Sequence, residues 1–281
     1  MAYQFIEVEQ KEGILTISLT DPRTRNALGD EMGNEIFAEL DRFENDPECR
    51  VLVLTGKDPA FCSGANVRFF DKSIKAQEEQ TAKVEPQPRP WEQIDPRHDR
   101  TAEVSGVRSL PLRINKLQKP SIAAVNGHAY GIGMGLALSC DIRIASDKAR
   151  FSEAFIRNGL IPADGSCWQL PRLIGLSNTL LMQYTGDALT GEDAFRLGIC
   201  SKVVPHEELM KTAMELASRL AHGPTFAMSL IKYLVMESLS LTFEESMKLA
   251  GPVQELARKT EDHKEGVRAF LEKRPAEFKG R

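Results

Sequence analysis

Two short glycine-bearing segments and one aspartate are the residues whose types and spacing can do chemistry. The segments are Phe61-Cys62-Ser63-Gly64-Ala65-Asn66 and Asn126-Gly127-His128-Ala129-Tyr130-Gly131-Ile132-Gly133-Met134-Gly135. Each follows an apolar run, residues 51–55 and 121–125, that reads as a buried strand. Glycine at a strand exit lets the backbone turn sharply and approach a ligand with no Cβ in the way. After the second segment an apolar run over residues 132–140 starts a helix, whose first N–H groups have no partner inside it. Two such loops can aim two backbone N–H donors at one point, which is the geometry of an oxyanion hole. The aspartate is Asp164, in Asn158-Gly159-Leu160-Ile161-Pro162-Ala163-Asp164-Gly165.

Such a hole stabilises an oxygen that gains negative charge during reaction, and one preorganised donor is typically worth about 3–4 kcal/mol. A dinucleotide-binding turn at Gly131-Ile132-Gly133 fails on spacing, because Leu136 stands where the third glycine is needed. Asp164 also suits helix capping, with Ser166-Cys167-Trp168-Gln169-Leu170 as the helix it would cap.

These segments, with Arg25-Asn26-Ala27-Leu28 upstream and Ala269-Phe270-Leu271-Glu272-Lys273-Arg274 near the C-terminus, resemble the crotonase (enoyl-CoA hydratase/isomerase) superfamily, in order along essentially the whole chain. The resemblance implies an α/β fold, a crotonase-like β-β-α spiral core with a helical C-terminal region. It implies a crotonase-type enzyme acting on an acyl-CoA thioester through a stabilised enolate, with the donors at the N–H groups of Ala65 and Ile132. Coenzyme A would enter as part of the substrate and no other cofactor or metal is needed. Arg25, Ala27, Ser63, Gly64, Asn66, Gly131 and Lys273 match carrier-binding positions, with Lys273 a point charge for phosphate, sometimes from a neighbouring subunit. The resemblance also implies a homotrimer or a dimer of trimers.

The chain departs from the hydratase pattern. The two hydratase glutamates are replaced by Gly135 and Phe155, so the mechanism that holds a water between paired carboxylates cannot run in its standard form. Asp164 lies one residue after Ala163, where isomerase and dehalogenase members carry their aspartate. It is the acid/base candidate for a double-bond isomerase or an atypical hydratase. A catalytically silent acyl-CoA-binding or scaffolding subunit is the alternative. Glu153, two residues before Phe155 and on the same face of an extended segment, is a second acid/base candidate, with a surface carboxylate as the plainer reading; His128 reads as a satisfied structural histidine, and Tyr130 and Met134 as pocket-shaping residues.

The positioning elements follow from periodicity. Strands are predicted over residues 5–8, 14–19, 141–145 and 150–152, and an amphipathic helix over 28–43. The alternation of strand and helix implies parallel pairing. Helices are predicted at roughly 206–221, 224–238, 242–260 and 262–273, with capping starts at Thr190 and Thr242. Residues 1–195 read as the core with the acyl-CoA site, and 196–281 as a helical region for lid and oligomer contacts. A polar, proline-rich section, residues 67–119, is read as a long pocket loop carrying Phe69, Phe70 and Trp91.

Composition limits the function classes. The 281 residues are 42% hydrophobic, enough for a substantial core, and the net charge of −4 gives no reason to expect nucleic-acid binding. No stretch has the length of a membrane span and the first residues lack a signal-peptide pattern. Five cysteines without metal-type spacing suit reduced thiols in a cytoplasmic protein.

Overall fold

The computed structural model describes residues 3–66 and 104–281. The pocket-loop reading of Phe69, Phe70 and Trp91 falls outside the described residues. In chain order, β1 (Ile6–Lys11) and β2 (Ile14–Leu19) precede α1 (Asp30–Asn45), β3 (Val51–Gly56) and β4 (Ala60–Cys62). Then come α2 (Leu110–Asn115), β5 (Ser121–Val125), β6 (His128–Tyr130), α3 (Ile132–Ser139), β7 (Ile142–Ser146) and β8 (Arg150–Ser152). The rest comprises α4 (Ser166–Thr185), β9 (Leu189–Thr190), α5 (Gly191–Leu197), β10 (Lys202–Val204), α6 (Leu209–Ala221), α7 (Thr225–Ser238), α8 (Phe243–Arg258) and α9 (Glu261–Glu272).

The strands form a six-stranded sheet, β1-β2-β3-β5-β7-β10, and a four-stranded sheet, β4-β6-β8-β9. Successive pairs β3/β4, β5/β6 and β7/β8 give one strand to each sheet. The chain therefore winds as a β-β-α spiral, as the resemblance implies. Pairing is parallel from β2 to β10 in the large sheet and from β4 to β8 in the small one.

The apolar runs are continuous because the large sheet is covered on both faces. Leu52 and Leu54 of β3 join the core between the sheets, while Val51 and Val53 face α6. Leu209, Ala213, Ala217 and Ala221 lie one above another on α6, and three alanines in that row let the helix sit close to the sheet. Both predicted capping boxes are present, at Thr190 with Asp193 and at Thr242 with Glu245.

Helix α3 is fixed at both ends. At its C-terminus the buried Arg143 guanidinium donates to the carbonyls of Leu138 (3.1 Å) and Cys140 (2.6 Å), a cation set against the negative end of the helix dipole. At its N-terminus Gly133 packs so closely on β4 that a Cβ there would run into the Cys62 carbonyl oxygen. The chain end is tied down too. Arg50 donates to the carbonyls of Ala221 (2.9 Å), Phe278 (3.2 Å) and Lys279 (2.8 Å), and Asp262 accepts from the N–H groups of Lys279 and Gly280.

Candidate active site

The two donor loops lie side by side because their strands do. β4 and β6 are parallel neighbours and run out in the same direction. Gly64 has φ 111° and Gly131 φ 50°, a region that L side chains rarely adopt, so both exits need glycine. Leu28 N–H donates to the Gly64 carbonyl (2.8 Å), and Asn66 N–H donates to the Leu28 carbonyl (3.0 Å). This parallel bridge between Leu28 and Ala65 leaves Ala65 N–H pointing to the other side of its segment. Ile132 is the first residue of α3, and its N–H likewise has no hydrogen-bond partner among the described residues. Both expected donors are thus available.

Asp164 reaches the same helix. A Cβ on residue 135 would lie 2.5 Å from Asp164 Oδ2 and 2.8 Å from its Cγ. Gly135 is three residues after Ile132, so the two share a face of α3 about one turn apart. The Asp164 carboxyl therefore packs against α3 about one turn along from Ile132, whose N–H is free among the described residues. It is 3% exposed, and burial raises its pKa, opposed by hydrogen bonds from the Ser166 hydroxyl and N–H. Ser166 Oγ–H and N–H reach Oδ1 at 2.7 and 3.1 Å, while Oδ2 has no partner among the described residues. Asp164 thus satisfies the first N–H of α4, whose N-cap is Gly165, and also keeps one oxygen free.

The structure corrects the placement of Glu153. It is fully buried, 0% exposed, where the sequence reading has a surface carboxylate. Nor does it share an extended face with Phe155, because residues 154–158 form a 3-10 turn that Glu153 caps. Its Oε2 is 2.8 Å from Ser166 Oγ, and Oε1 has no partner among the described residues. Burial holds its carboxyl well above the ordinary range, the Asp164 charge adding to this and the Ser166 hydrogen bond opposing it. The Phe155 ring closes over Gly131, with Cζ 3.5 Å from where a Cβ would stand. Met134 is fully buried in the core. His128 Nδ1 is buried without a partner among the described residues, so the histidine is not satisfied at that nitrogen; burial, with Arg25 and Arg150, lowers its pKa.

The carrier-side loops are stitched together. Ser63 N–H donates to the Arg25 carbonyl (3.1 Å), Ser63 Oγ to the Thr24 carbonyl (2.8 Å), and Ala27 N–H to Thr24 Oγ1 (3.1 Å). Beneath them Asn26, fully buried at φ 60°, donates to the Lys57 and Ala60 carbonyls at 2.8 and 2.7 Å and accepts from Asp21 N–H at 2.8 Å. Sequence reasoning gave Asn26 no role, although asparagine's tolerance of positive φ was a usable signal. Lys273 lies apart, exposed at the end of α9 with φ 54°. No hydrogen bond or ion pair joins it to Arg25 or Ser63 among the described residues of one chain. Those residues hold no cluster of three or more histidine, cysteine or acidic side chains fit for a metal. All five cysteines are free thiols, and no described helix is long and apolar enough to cross a membrane.

The chain thus folds as a β-β-α spiral whose parallel strand exits carry the Ala65 and Ile132 N–H groups, with the buried Asp164 carboxyl packed against the helix that Ile132 begins. The chain matches the enoyl-CoA hydratase/isomerase family model over residues 9–95 and 92–281, and it belongs to that family. It is 36% identical over 279 residues to the 1,2-epoxyphenylacetyl-CoA isomerase of Escherichia coli K12, covering 99% of each chain. It is 32% identical over 279 residues to the crotonyl-CoA hydratase of Syntrophomonas wolfei, again covering 99% of each. Among solved structures, an enoyl-CoA hydratase subunit I of Geobacillus kaustophilus superposes with a TM-score of 0.84 at 33% identity, covering 99% of each chain.

Proposed function

We propose that this chain binds an enoyl- or dienoyl-CoA thioester and moves its double bond through an enolate, with Asp164 removing and returning the proton. The observation that carries this reading is the buried Asp164 Oδ2, without a partner among the described residues and packed against α3 at Gly135, about one turn along from Ile132. The Ala65 and Ile132 N–H groups would hold the thioester oxygen as it gains charge. Oδ2 would take a proton from one carbon and deliver it to another, a transfer that one carboxylate can perform alone. Phe155 over Gly131 would keep water from the enolate. Arg25, Ala27, Ser63, Gly64, Asn66, Gly131 and Lys273 would hold the carrier, Lys273 in a homotrimer or dimer of trimers from whichever subunit brings it near the phosphates.

Hydration is the second reading, because Glu153 supplies a further buried carboxyl near Asp164. The relative at 36% identity is named an isomerase and others at 30–34% are named hydratases, so the names support both chemistries. Incubating a panel of enoyl- and dienoyl-CoA esters in D₂O and reading mass and retention separates exchange, migration and hydration. Asp164→Asn is expected to lower exchange and migration by roughly 10²–10⁴ with CoA-ester binding unchanged. Wild-type rates in that variant would make Asp164 a turn residue only. Binding without turnover in the wild type would favour the silent acyl-CoA-binding subunit.

A further inference from the structure

Glu153 and Asp164 converge on one hydroxyl. Ser166 Oγ is 2.8 Å from Glu153 Oε2 and 2.7 Å from Asp164 Oδ1, and all three side chains are buried. A serine hydroxyl has a single proton to donate, and an ionised carboxylate can only accept. With both carboxyls ionised, one of these contacts would set two bare oxygens at hydrogen-bond distance away from water, which is costly. One carboxyl must therefore carry a proton and donate it to Ser166 Oγ. Asp164 Oδ1 already receives Ser166 N–H as well as the hydroxyl, so two donors favour its anion. Glu153 has no donor besides the one hydroxyl among the described residues, so the proton belongs on Glu153.

We propose that Glu153 is a positioning residue: it keeps one proton, donates it to Ser166, and so turns the Ser166 hydroxyl onto Asp164 Oδ1 and leaves Oδ2 as the sole basic oxygen. This rests on Asp164 being the base. The proton balance is simple. Oδ2 takes the substrate proton, the C–H electron pair passes to the thioester oxygen, and Glu153 keeps its own proton throughout. Ionised Glu153 would add a second negative charge beside the developing enolate and oppose its formation. The rate should therefore fall at alkaline pH as Glu153 loses its proton.

The groups facing the pair leave this assignment in place. From α4 come Ser166 and the Cys167 thiol, whose pKa is itself raised, chiefly by burial. From α3 comes Gly135, with no charge. On the 3-10 turn Arg157 donates to the Gly186 carbonyl (2.8 Å), and among the described residues no cation pairs with either carboxyl.

Two measurements test the proposal. Infrared spectra of the ligand-free full chain at neutral pH should show a protonated-carboxyl band that Asp164→Asn keeps and Glu153→Gln loses. Absence of the band from the wild type, or its survival in Glu153→Gln, overturns the proposal. In D₂O exchange, the wild-type rate should fall at alkaline pH and Glu153→Gln should lack that fall, while Ser166→Ala loses about 10-fold. The same alkaline fall in wild type and Glu153→Gln would also overturn it. Failure of the underlying reading looks different: full exchange in Asp164→Asn would remove the base and leave the infrared assignment of Glu153 untouched.

Discussion

The Asp164 carboxyl occupies the space that any side chain at Gly135 would need. A Cβ there would stand 2.8 Å from both Cβ and Cγ of Asp164, so the clash involves the root of the side chain and rotation alone cannot relieve it. A long side chain at 135 and Asp164 in this position exclude one another, so the glycine has a physical partner in Asp164. Gly135→Ala sets two effects against each other. Alanine in a helix interior gains about 1 kcal/mol over glycine, and overpacking costs about 1–3 kcal/mol. Stability should therefore change by no more than about 2 kcal/mol, while displacement of Asp164 lowers turnover by roughly 10-fold or more. Denaturant unfolding and D₂O exchange on one preparation check this; unchanged exchange would show that Asp164 is not set against α3 as described.

A pH dependence of stability follows from Glu153. Its folded carboxyl titrates well above the ordinary value of 4.5. Below that value, folded and unfolded chains both hold the proton. Above it the unfolded chain releases the proton and the folded chain keeps it, so stability falls with rising pH until the folded group ionises too. Asp164, also raised, acts in the same direction. Glu265 acts oppositely: Arg274 holds it down to about 2, and its contribution is lost only as the solution becomes strongly acidic. Glu153→Gln is neutral in both states. Its Tm relative to the wild-type Tm should therefore rise as the pH climbs above the ordinary glutamate value, each kcal/mol corresponding to about 2–4 °C. A margin independent of pH would show that Glu153 ionises normally in the fold.

Periodicity made the frame legible. The runs at 51–55 and 121–125 are strands buried on both faces, and the threonines at 190 and 242 begin helices with their acidic partners three residues on. Local pattern does not carry what distant packing decides. Glu153 sits between a short strand and a turn, a place where a glutamate reads as solvated. Its partner, Ser166, lies 13 residues away on a different element. The conjunction of Gly135 with Asp164 was hidden for the same reason: the two lie on separate segments, and only the fold shows one filling the space beside the other.

Asn26 predicts a structural cost at the carrier loops. Asn26→Ala leaves the Lys57 carbonyl and the Asp21 N–H without their side-chain partner, and leaves the Ala60 carbonyl only the longer Asn126 amide contact at 3.3 Å. Stability should drop by about 2–4 kcal/mol, since each orphaned buried group costs about 1–3 kcal/mol and water recovers part of it. Asn26→Asp should cost more, because an acceptor would face two carbonyl oxygens. Urea unfolding of both variants gives the order; Asp milder than Ala would contradict these bonds.

Lys273 decides whether the carrier assignment reaches the C-terminus. It ends α9 in the left-handed region, its side chain exposed, with the adjoining Arg274 paired to Glu265 at 2.6 Å and Glu272 at 2.7 Å. That anchored terminus gives the ammonium a fixed root and a flexible reach, which suits a phosphate oxygen. Losing one charge-assisted contact should weaken CoA-ester binding by about 1–2 kcal/mol, roughly 5–30-fold. Pantetheine esters lack the nucleotide phosphates, so Lys273→Ala should leave their affinity unchanged. Calorimetric titration of both ester types against wild type and variant measures the contrast. Equal weakening of the two would mean that Lys273 acts through the fold, and no weakening of either would remove it from the carrier site.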